Sequence, residues 1–177
     1  MFFGQIKKVK GVDILLRAIL ELKKIRDDFF VVIAGSVWKA DFTECQNLID
    51  NNDLSELLRT DIRYIPDEEV KYYYSASDVC VLPYTDVYQS GVIQLAYGYK
   101  KAVLSSDLPA FTQFVKDGQT GYIFRNRDYA DLANCMSKAI DEKEKLKELG
   151  ENGFNLVREA LNWDVLAERI INEVYNK

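Results

Sequence analysis

Two lysines and a Ser-Gly pair are the residues of this chain best suited to chemistry, because together they could hold an anion. Lys7 and Lys10 follow an apolar opening segment, and Ser90-Gly91 stands between an apolar run and a helical stretch. A helix that begins at Ser-Gly offers free backbone N–H groups and the positive end of its dipole, which suits a phosphate. Lys8 is assigned to a solvated turn. The spacing predicts an anion site, and alone it does not choose between a nucleotide sugar and another anion.

The absence of histidine narrows the chemistry further. With no His among 177 residues, a Ser-His-Asp triad, an HExxH zinc site and a Cys-His pair are excluded. Cys45, Cys80 and Cys135 are far apart, show no CxxC or zinc spacing, and fit a reducing compartment. We therefore expect no metal site, and acid–base chemistry is left to Asp, Glu, Lys, Tyr or the substrate itself.

Charge and hydropathy limit the class of partner. The chain has 28 Asp and Glu against 23 Lys and Arg, a net charge of −5, which argues against a nucleic-acid partner. Hydrophobic residues make up 48% and charged residues 29%, as in an ordinary soluble domain. No apolar run approaches the ~20 residues of a membrane span. The length predicts a single domain over residues 1–177.

Short apolar runs alternate with helical patterns along the chain. Phe29–Gly35 is a continuous apolar run, typical of a strand buried on both faces of a parallel sheet, and Val12–Ile25 has the periodicity of a helix with one core face. The alternation predicts an α/β fold: a Rossmann-like doubly wound parallel sheet of about six strands with a helical C-terminal tail. The other predicted strands are Phe2–Gly4, Ile62–Ile65, Asp78–Pro83, Lys101–Ser105 and Tyr122–Phe124. The other predicted helices are Asp41–Leu58 with a break around Asn51-Asn52, one that Asp67 caps, one that Gln89-Ser90-Gly91 opens and that runs to about Tyr99, Leu108–Val115, Asp131–Lys147, Asn152–Leu161 and Trp163–Tyr175.

The predicted sheet brings the polar loops to one edge. Ligands of open α/β sheets bind at the carboxyl ends of the strands, where Gly35-Ser36 and Asp117-Gly118 would join the two lysines and Ser90-Gly91. The first strand begins at Phe2 without a lead-in, so we expect an N-terminal portion of the protein to precede this chain.

Several segments, in order, resemble one family. Each is weak singly, and their joint order covers nearly the whole chain. They resemble the C-terminal, donor-binding domain of a GT-B type glycosyltransferase of family four, which has two Rossmann domains. The segments are Phe2-Phe3-Gly4 with Lys10-Gly11, VVIAG at 31–35, SDVCVLP at 77–83, QSGVIQLAY at 89–97, DGQTG at 117–121 and the Trp163 helix.

The resemblance implies a role for individual residues. It implies that the phosphates of a nucleotide sugar, such as a UDP- or GDP-sugar, meet Lys7, Lys10, Ser90 and Gly91, without a metal and with no other cofactor. It leaves the catalytic residue unknown. It implies a nucleoside- and sugar-binding surface that comprises Gly4, Gly35, Ile65, Pro66, Asp86, Gln89, Val92 and Gln94.

The chain also departs from the family pattern. The usual E-x7-E pair of glutamates is missing, and Asp86, Gln89 and Gln94 are the nearby polar candidates. Gln5 stands where an arginine is common. A Gln can hydrogen-bond a ribose hydroxyl and supplies no charge, so the identity of the donor stays open.

Three functions follow as hypotheses. The first, implied by the resemblance, is a hexosyltransferase-type domain that transfers a sugar with retention to an acceptor saccharide or lipid-linked saccharide of a cell-surface polysaccharide or glycolipid. Its acceptor half would lie in the absent N-terminal domain, so the chain alone would be inactive, and the protein would be cytoplasmic or peripheral at the inner face of the membrane. The second is a non-catalytic nucleotide- or sugar-binding module, which the missing glutamates favour. The third is another enzyme of a related two-domain fold, such as a nucleotide-sugar epimerase, which the lack of His disfavours.

Overall fold

The computed structural model describes residues 1–38, 42–88, 90–160 and 171–172. These residues form an α/β fold in which six strands alternate with helices, as the sequence predicted. A short 3-10 turn, Lys8–Lys10, precedes the first helix. The strands are β1 Phe2–Phe3, β2 Val31–Ala34, β3 Leu58–Asp61, β4 Val79–Leu82, β5 Ala102–Ser106 and β6 Gly121–Phe124, and the helices are α1 Val12–Lys23, α2 Thr43–Asn51, α3 Asp67–Ala76, α4 Gly91–Gly98, α5 Pro109–Thr112, α6 Tyr129–Asp141 and α7 Lys143–Ala160.

The strands form two parallel three-stranded sheets that meet at β1. One sheet has the order β1-β2-β3 and the other β4-β5-β6. The backbone N–H of Val81 donates to the carbonyl oxygen of Met1 at 2.8 Å. The amino group of Met1 donates to the carbonyl oxygen of Val79 at 2.7 Å. These bonds place β1 beside β4 and give the order 3-2-1-4-5-6 of a Rossmann sheet, whose direction of winding switches between β1 and β4.

The apolar runs form the core, and this explains why the strands read as continuous hydrophobic stretches. All five residues of β5 are buried, which a parallel strand covered on both faces requires. Helix α1 turns Leu15, Ile19 and Leu22 inward with no exposed surface and packs against α6. Burial of a side chain of this size contributes about 1.5–3 kcal/mol. The packed strands and helices therefore form a stable support for the polar loops at the carboxyl edge of the sheet.

The predicted strand Ile62–Ile65 is wrong, because the third strand lies earlier, at Leu58–Asp61. It pairs with β2 from Val31 opposite Leu58 to Ala34 opposite Asp61. The break predicted within Asp41–Leu58, around Asn51-Asn52, is confirmed, because α2 ends at Asn51, and none of the described residues between it and β3 is helical. β3 is paired on one side only among the described strands, so its polar sequence LRTD, with an exposed Arg59, concealed it.

The C-terminal helices are also divided differently from the prediction. One break falls at Glu142, between α6 and α7, where the prediction had a continuous helix Asp131–Lys147. The break predicted between Lys147 and Asn152, around Gly150, is wrong, since these residues lie inside α7. A Cβ at Gly150 would lie 2.0 Å from the carbonyl oxygen of Lys100, and one at Gly153 would lie 2.2 Å from the ring of Tyr97.

Two smaller predictions concern helix ends. Asp67 is the first residue of α3 and Pro66 is its N-cap, without a side-chain capping bond, so the prediction of Asp67 as cap is wrong. The predicted helix Trp163–Tyr175 lies outside the described residues, apart from 171–172.

Candidate anion-binding site

The carboxyl ends of β1 and β4 enclose a crevice whose walls are set by two glycines. Gly4, directly after β1, has φ 118°, and Gly35, directly after β2, has φ 141°. A Cβ at Gly35 would lie 2.0 Å from the carbonyl oxygen of Gly4, so only glycine allows the two strand ends to approach in this way. A Cβ at Gly4 would lie 3.6 Å from Cγ2 of Val92. The first turn of α4 therefore faces the end of β1 across the crevice.

The first loop is held against the loop that follows β4. Gly11 has φ 65°, and a Cβ there would lie 1.9 Å from the carbonyl oxygen of Pro83. The backbone N–H of Thr85 donates to the carbonyl oxygen of Val9 at 2.9 Å, and that of Lys10 donates to Lys7 at 2.8 Å. The loop after β1 is consequently a rigid support for the two lysines.

Lys10 is a cation without an anionic partner. Its Nζ lies 3.7 Å from the ring centroid of Tyr84, and no ion pair joins it to any residue that the structure describes. Burial, and to a smaller extent the charge of Lys7, lowers the pKa of Lys10 to about 8. The Nζ of Lys7 lies 5.8 Å from the ring centroid of Trp38. A desolvated ammonium beside a second cation gains strongly from an incoming anion.

Helix α4 presents its amino end to the same crevice. Ser90 is its N-cap, with an extended backbone and no side-chain capping bond, so the first-turn N–H groups remain available to a ligand. The Oγ of Ser90 is buried without a hydrogen bond among the described atoms. A Cβ at Gly91 would meet no described atom within 4 Å. The helix start is thus open towards the crevice.

Tyr84 lies near both Lys10 and Ser90, the N-cap of α4, and the sequence analysis did not identify it. The ammonium of Lys10 lies over the Tyr84 ring. Burial raises the pKa of the Tyr84 phenol, and the nearby Ser90 hydroxyl offsets part of that rise. The ring also packs against Phe111, with centroids 5.1 Å apart. The available signal was its position: Tyr84 follows SDVCVLP, where the resembling segment has a serine.

The remaining predicted residues belong to the loop before α4 and to its first turns. Asp86 is exposed in the loop before α4, and Gln94 is exposed one turn into the helix. Val92 contacts the Gly4 side, as described. Gln89 lies outside the described residues. None of these positions contradicts a binding role, and each stays a prediction.

Ile65 and Pro66 lie in the loop between β3 and α3, which an ionic network holds. Arg63 donates to Asp61 at 2.9 and 3.2 Å and pairs with Glu69, and the Tyr73 hydroxyl donates to Asp61. The carbonyl oxygen of Asp61 accepts the N–H of Gly35 at 3.0 Å. This chain of contacts connects the loop to the two crevice glycines.

The described part of the chain has an apolar cavity, but no group of metal-ligating side chains and no helix that could span a membrane. No cluster of three or more His, Cys, Asp or Glu side chains there is arranged as metal ligands. No helix there is long and apolar enough to cross a membrane. The apolar cavity has a volume of about 430 Å³ and lies between Phe29, Val79 and Met136, at the opposite edge of the sheet from the lysines.

The sheet order and the crevice define the class of α/β domains that bind ligands at a topological switch point. Within that class, residues 1–156 match the family described as glycosyl transferases group 1. The chain belongs to this family.

Known proteins give the same assignment. The chain is 27% identical over 184 residues to the lipopolysaccharide 1,2-N-acetylglucosaminetransferase of Salmonella typhimurium, covering 99% of this chain and 48% of that protein. The fold is similar to the C-terminal domain of the group 1 glycosyl transferase LpcC of Francisella tularensis, with a TM-score of 0.76, 21% identity, and 89% and 83% of the two chains covered. It is also similar to Anabaena HepE in complex with UDP, with a TM-score of 0.82, 16% identity, and 99% and 49% covered. The chain spans about half the length of the curated relatives it matches.

Proposed function

We propose that this chain is the donor-binding half of a glycosyltransferase that takes a nucleoside-diphosphate sugar and transfers the sugar, with retention, to an acceptor hydroxyl. The observation that carries the proposal is Lys10, an unpaired and desolvated cation that Tyr84 connects to the open start of α4. Family membership and the UDP complex of a protein of similar fold support it.

The crevice suits the diphosphate part of such a donor. Lys10 and Lys7 supply two positive charges on one side, and the N–H groups that follow Ser90 supply the helix dipole on the other. These groups offset the charge of a diphosphate without a metal. They also stabilise the nucleoside diphosphate as it leaves, because negative charge on the bridging oxygen grows in the transition state.

The nucleoside would extend from the two glycines towards the loop after β3. Gly4 and Gly35 leave room for close approach of a ligand to the backbone, and Ile65-Pro66 would face the base. For the ribose and sugar hydroxyls we propose Asp86, Gln89 and Gln94, in place of the glutamates that the family pattern has. The donor sugar would be a hexose.

The acceptor site belongs, in this proposal, to an N-terminal domain outside this chain. Residues 1–177 would form one domain that binds donor and turns over little alone. The acceptor would be a saccharide or lipid-linked saccharide of a lipopolysaccharide, a capsule or another cell-surface polymer, a role that the Salmonella relative supports. Such an enzyme would work in the cytoplasm or at the inner face of the membrane.

A second candidate is a binding module without catalysis. It is favoured by one observation: residues 86–99, which include the start of α4, contain no Glu. Supplying the missing half would separate the two functions, since the module would bind donor with undiminished affinity and transfer no sugar.

A thermal-shift experiment with the diphosphates of uridine, guanosine, adenosine and cytidine tests donor binding. A ligand at 100 times its Kd stabilises by about 2.7 kcal/mol, which raises Tm by about 5–10 °C in a domain of this size. We expect a shift with one nucleotide, its loss in Lys10→Ala, and its retention in the control Lys147→Ala, an exposed lysine of α7. No shift with any nucleotide, or an equal shift in Lys10→Ala, would refute the proposed site.

A further inference from the structure

A second polar groove lies beside the first loop, next to the crevice, and Lys7 is the one residue assigned to both. It has a volume of about 770 Å³ and is lined by residues of the first loop, α1, the start of α2 and the loop before α6. Neither Gly4 nor Lys10 nor any residue of α4 lines it. The volume falls within the range of small-molecule sites, about 300–1,000 Å³.

Unpaired cations are concentrated in this groove. Lys7, Lys8, Arg17 and Arg127 all line it, and none of them forms an ion pair with a residue in the described ranges. The protein as a whole has a net charge of −5. A local group of four cations without partners in an acidic protein favours an anionic ligand.

Arg127 has an unfavourable backbone that its surroundings impose. Its φ is 64°, a conformation that costs a residue with a Cβ free energy and persists where neighbours hold it, often at ligand sites. The neighbours are Asn126, whose N–H donates to Asp107 at 2.9 Å and whose Nδ2 donates to Thr85 at 3.2 Å, and Asp128, whose N–H donates to Arg125 at 3.1 Å. Arg127 is therefore held in place beside the groove.

The adjacent arginine provides a contrast within the same loop. Arg125 pairs with Asp128 at 3.0 Å and with Asp131 at 3.4 Å. Arg127 points to the groove without such partners. Arg125 therefore stabilises the loop, whereas Arg127 is available to a ligand.

The rest of the groove suits hydroxyl groups and a sugar ring. Asp13 and Glu44 line it and can accept hydrogen bonds from hydroxyls. Both carboxylates lie near Cys45. The pKa of the Cys45 thiol is raised to about 11, mainly by burial and to a smaller extent by the charges of Asp13 and Glu44. Phe42 and Tyr129 add aromatic surface. Cations, carboxylates and aromatic rings in one groove are the combination that a phosphorylated sugar requires.

We propose that this groove binds a phosphorylated sugar, with its phosphate on Arg127, Arg17 and Lys8 and its hydroxyls on Asp13 and Glu44. The phosphate has two chemical sources: a free sugar phosphate, or the phosphodiester of a sugar that is attached to a longer acceptor. The proposal does not depend on donor binding in the crevice, because Lys7 is the one residue assigned to both sites and the groove phosphate is placed on other cations.

Calorimetric titration with glucose 1-phosphate tests the groove. We expect binding to weaken about tenfold or more in Arg127→Asn and in Arg17→Gln, since each removes a charge-assisted bond. Asn tolerates the left-handed backbone of position 127, so the variant folds. The control Arg158→Gln, an exposed arginine of α7 outside the groove, should bind as the parent does. Equal binding in Arg127→Asn and Arg158→Gln would overturn the proposal.

Competition with UDP and a second probe complete the experiment. Glucose 1-phosphate should bind equally well with and without saturating UDP, and loss of its binding in UDP would assign it to the crevice and overturn the groove. If none of the four nucleoside diphosphates binds, the donor proposal fails and the arginine pair still decides on the groove. The methyl phosphodiester of glucose 1-phosphate distinguishes the sources: tighter binding of the monoester identifies a free sugar phosphate, and tighter binding of the diester identifies an attached one.

Discussion

Lys10 and Arg63, two cations near the carboxyl edge of the sheet, have opposite surroundings. Arg63 is enclosed by acceptors, with Asp61 and Glu69 as ion-pair partners, and lies close to Tyr73. Lys10 has an aromatic ring, a neighbouring lysine and no carboxylate among the described residues. A paired cation stabilises its own loop, whereas an unpaired and desolvated one costs stability and is retained for what it binds. The predictions below test this difference.

The largest effect is expected from Gly11→Ala, which would separate the lysine loop from Pro83. The new Cβ would meet the Pro83 carbonyl oxygen at 1.9 Å in a backbone with φ 65°, so we expect a loss of about 2–4 kcal/mol in the free energy of unfolding. Gly118→Ala is the matched control, because Gly118 has φ 69° and no described atom near its Cβ position, and it should lose about 1 kcal/mol. Equal losses in urea unfolding would show that the contact with Pro83 is unimportant.

The second prediction exchanges the cations of the comparison for methionine. Lys10→Met should weaken binding of the preferred nucleoside diphosphate about tenfold or more, since a charge-assisted bond is lost, and should leave the free energy of unfolding unchanged or higher. Arg63→Met should lower that free energy slightly, since its ion pairs with Asp61 and Glu69 are exposed to solvent. Calorimetry and urea unfolding measure both. An equal loss in the free energy of unfolding for Lys10→Met and Arg63→Met would contradict the difference between the two cations.

The third prediction uses the lowered pKa of Lys10. Because this pKa is about 8 in the folded protein and about 10.4 in an unfolded chain, the unfolded chain binds more protons between these values, and stability should rise with pH there. Diphosphate affinity should fall over the same window as the ammonium loses its proton. Titrations from pH 7 upwards measure this fall, and Lys10→Arg, which keeps its charge, should remove it. A fall that persists in Lys10→Arg would exclude Lys10 as its origin.

The smallest effect concerns the paired side of the comparison. The Tyr73 hydroxyl and Arg63 hold the pKa of the Asp61 carboxyl below its usual range. Its contribution to stability is therefore present above the ordinary value near 3.8 and disappears as the pH falls through the lowered pKa. Tyr73→Phe should reduce the acid sensitivity of unfolding in this range by an amount worth about 0.5–1 kcal/mol. An unchanged acid profile would contradict the role of the phenol.

The sequence predicted the layout of the fold because burial leaves a strong pattern. The apolar runs around β2, β4 and β5 were placed within a few residues. β3 was misplaced because LRTD is polar and lies at an edge, and α7 was divided in the prediction around Gly150, a residue that normally weakens a helix. The true role of Gly150 and Gly153 is close packing against Lys100 and Tyr97, which only three-dimensional contacts reveal.

The site was predictable where it depends on chain order and hidden where it depends on side-chain contacts. Lys10 follows β1 and Ser90-Gly91 follows β4, so a parallel sheet puts both at its carboxyl edge, and their binding role stays a prediction. Tyr84, which touches Lys10 and Ser90, could not be assigned, since a buried tyrosine usually belongs to the core. The groove at Arg127 was missed because its residues are scattered over four segments.

Gly150 and Gly153 of α7 help to position α4, although they lie far from its first turn along the chain. They let α7 lie directly on Tyr97 and on the carbonyl of Lys100, at the end of α4 opposite Ser90. The helix that faces the crevice is thereby positioned from its back, and its first turn stays free. A saturation mutagenesis screen for nucleotide binding should consequently find positions 150 and 153 among the least tolerant of substitution, although neither approaches the ligand.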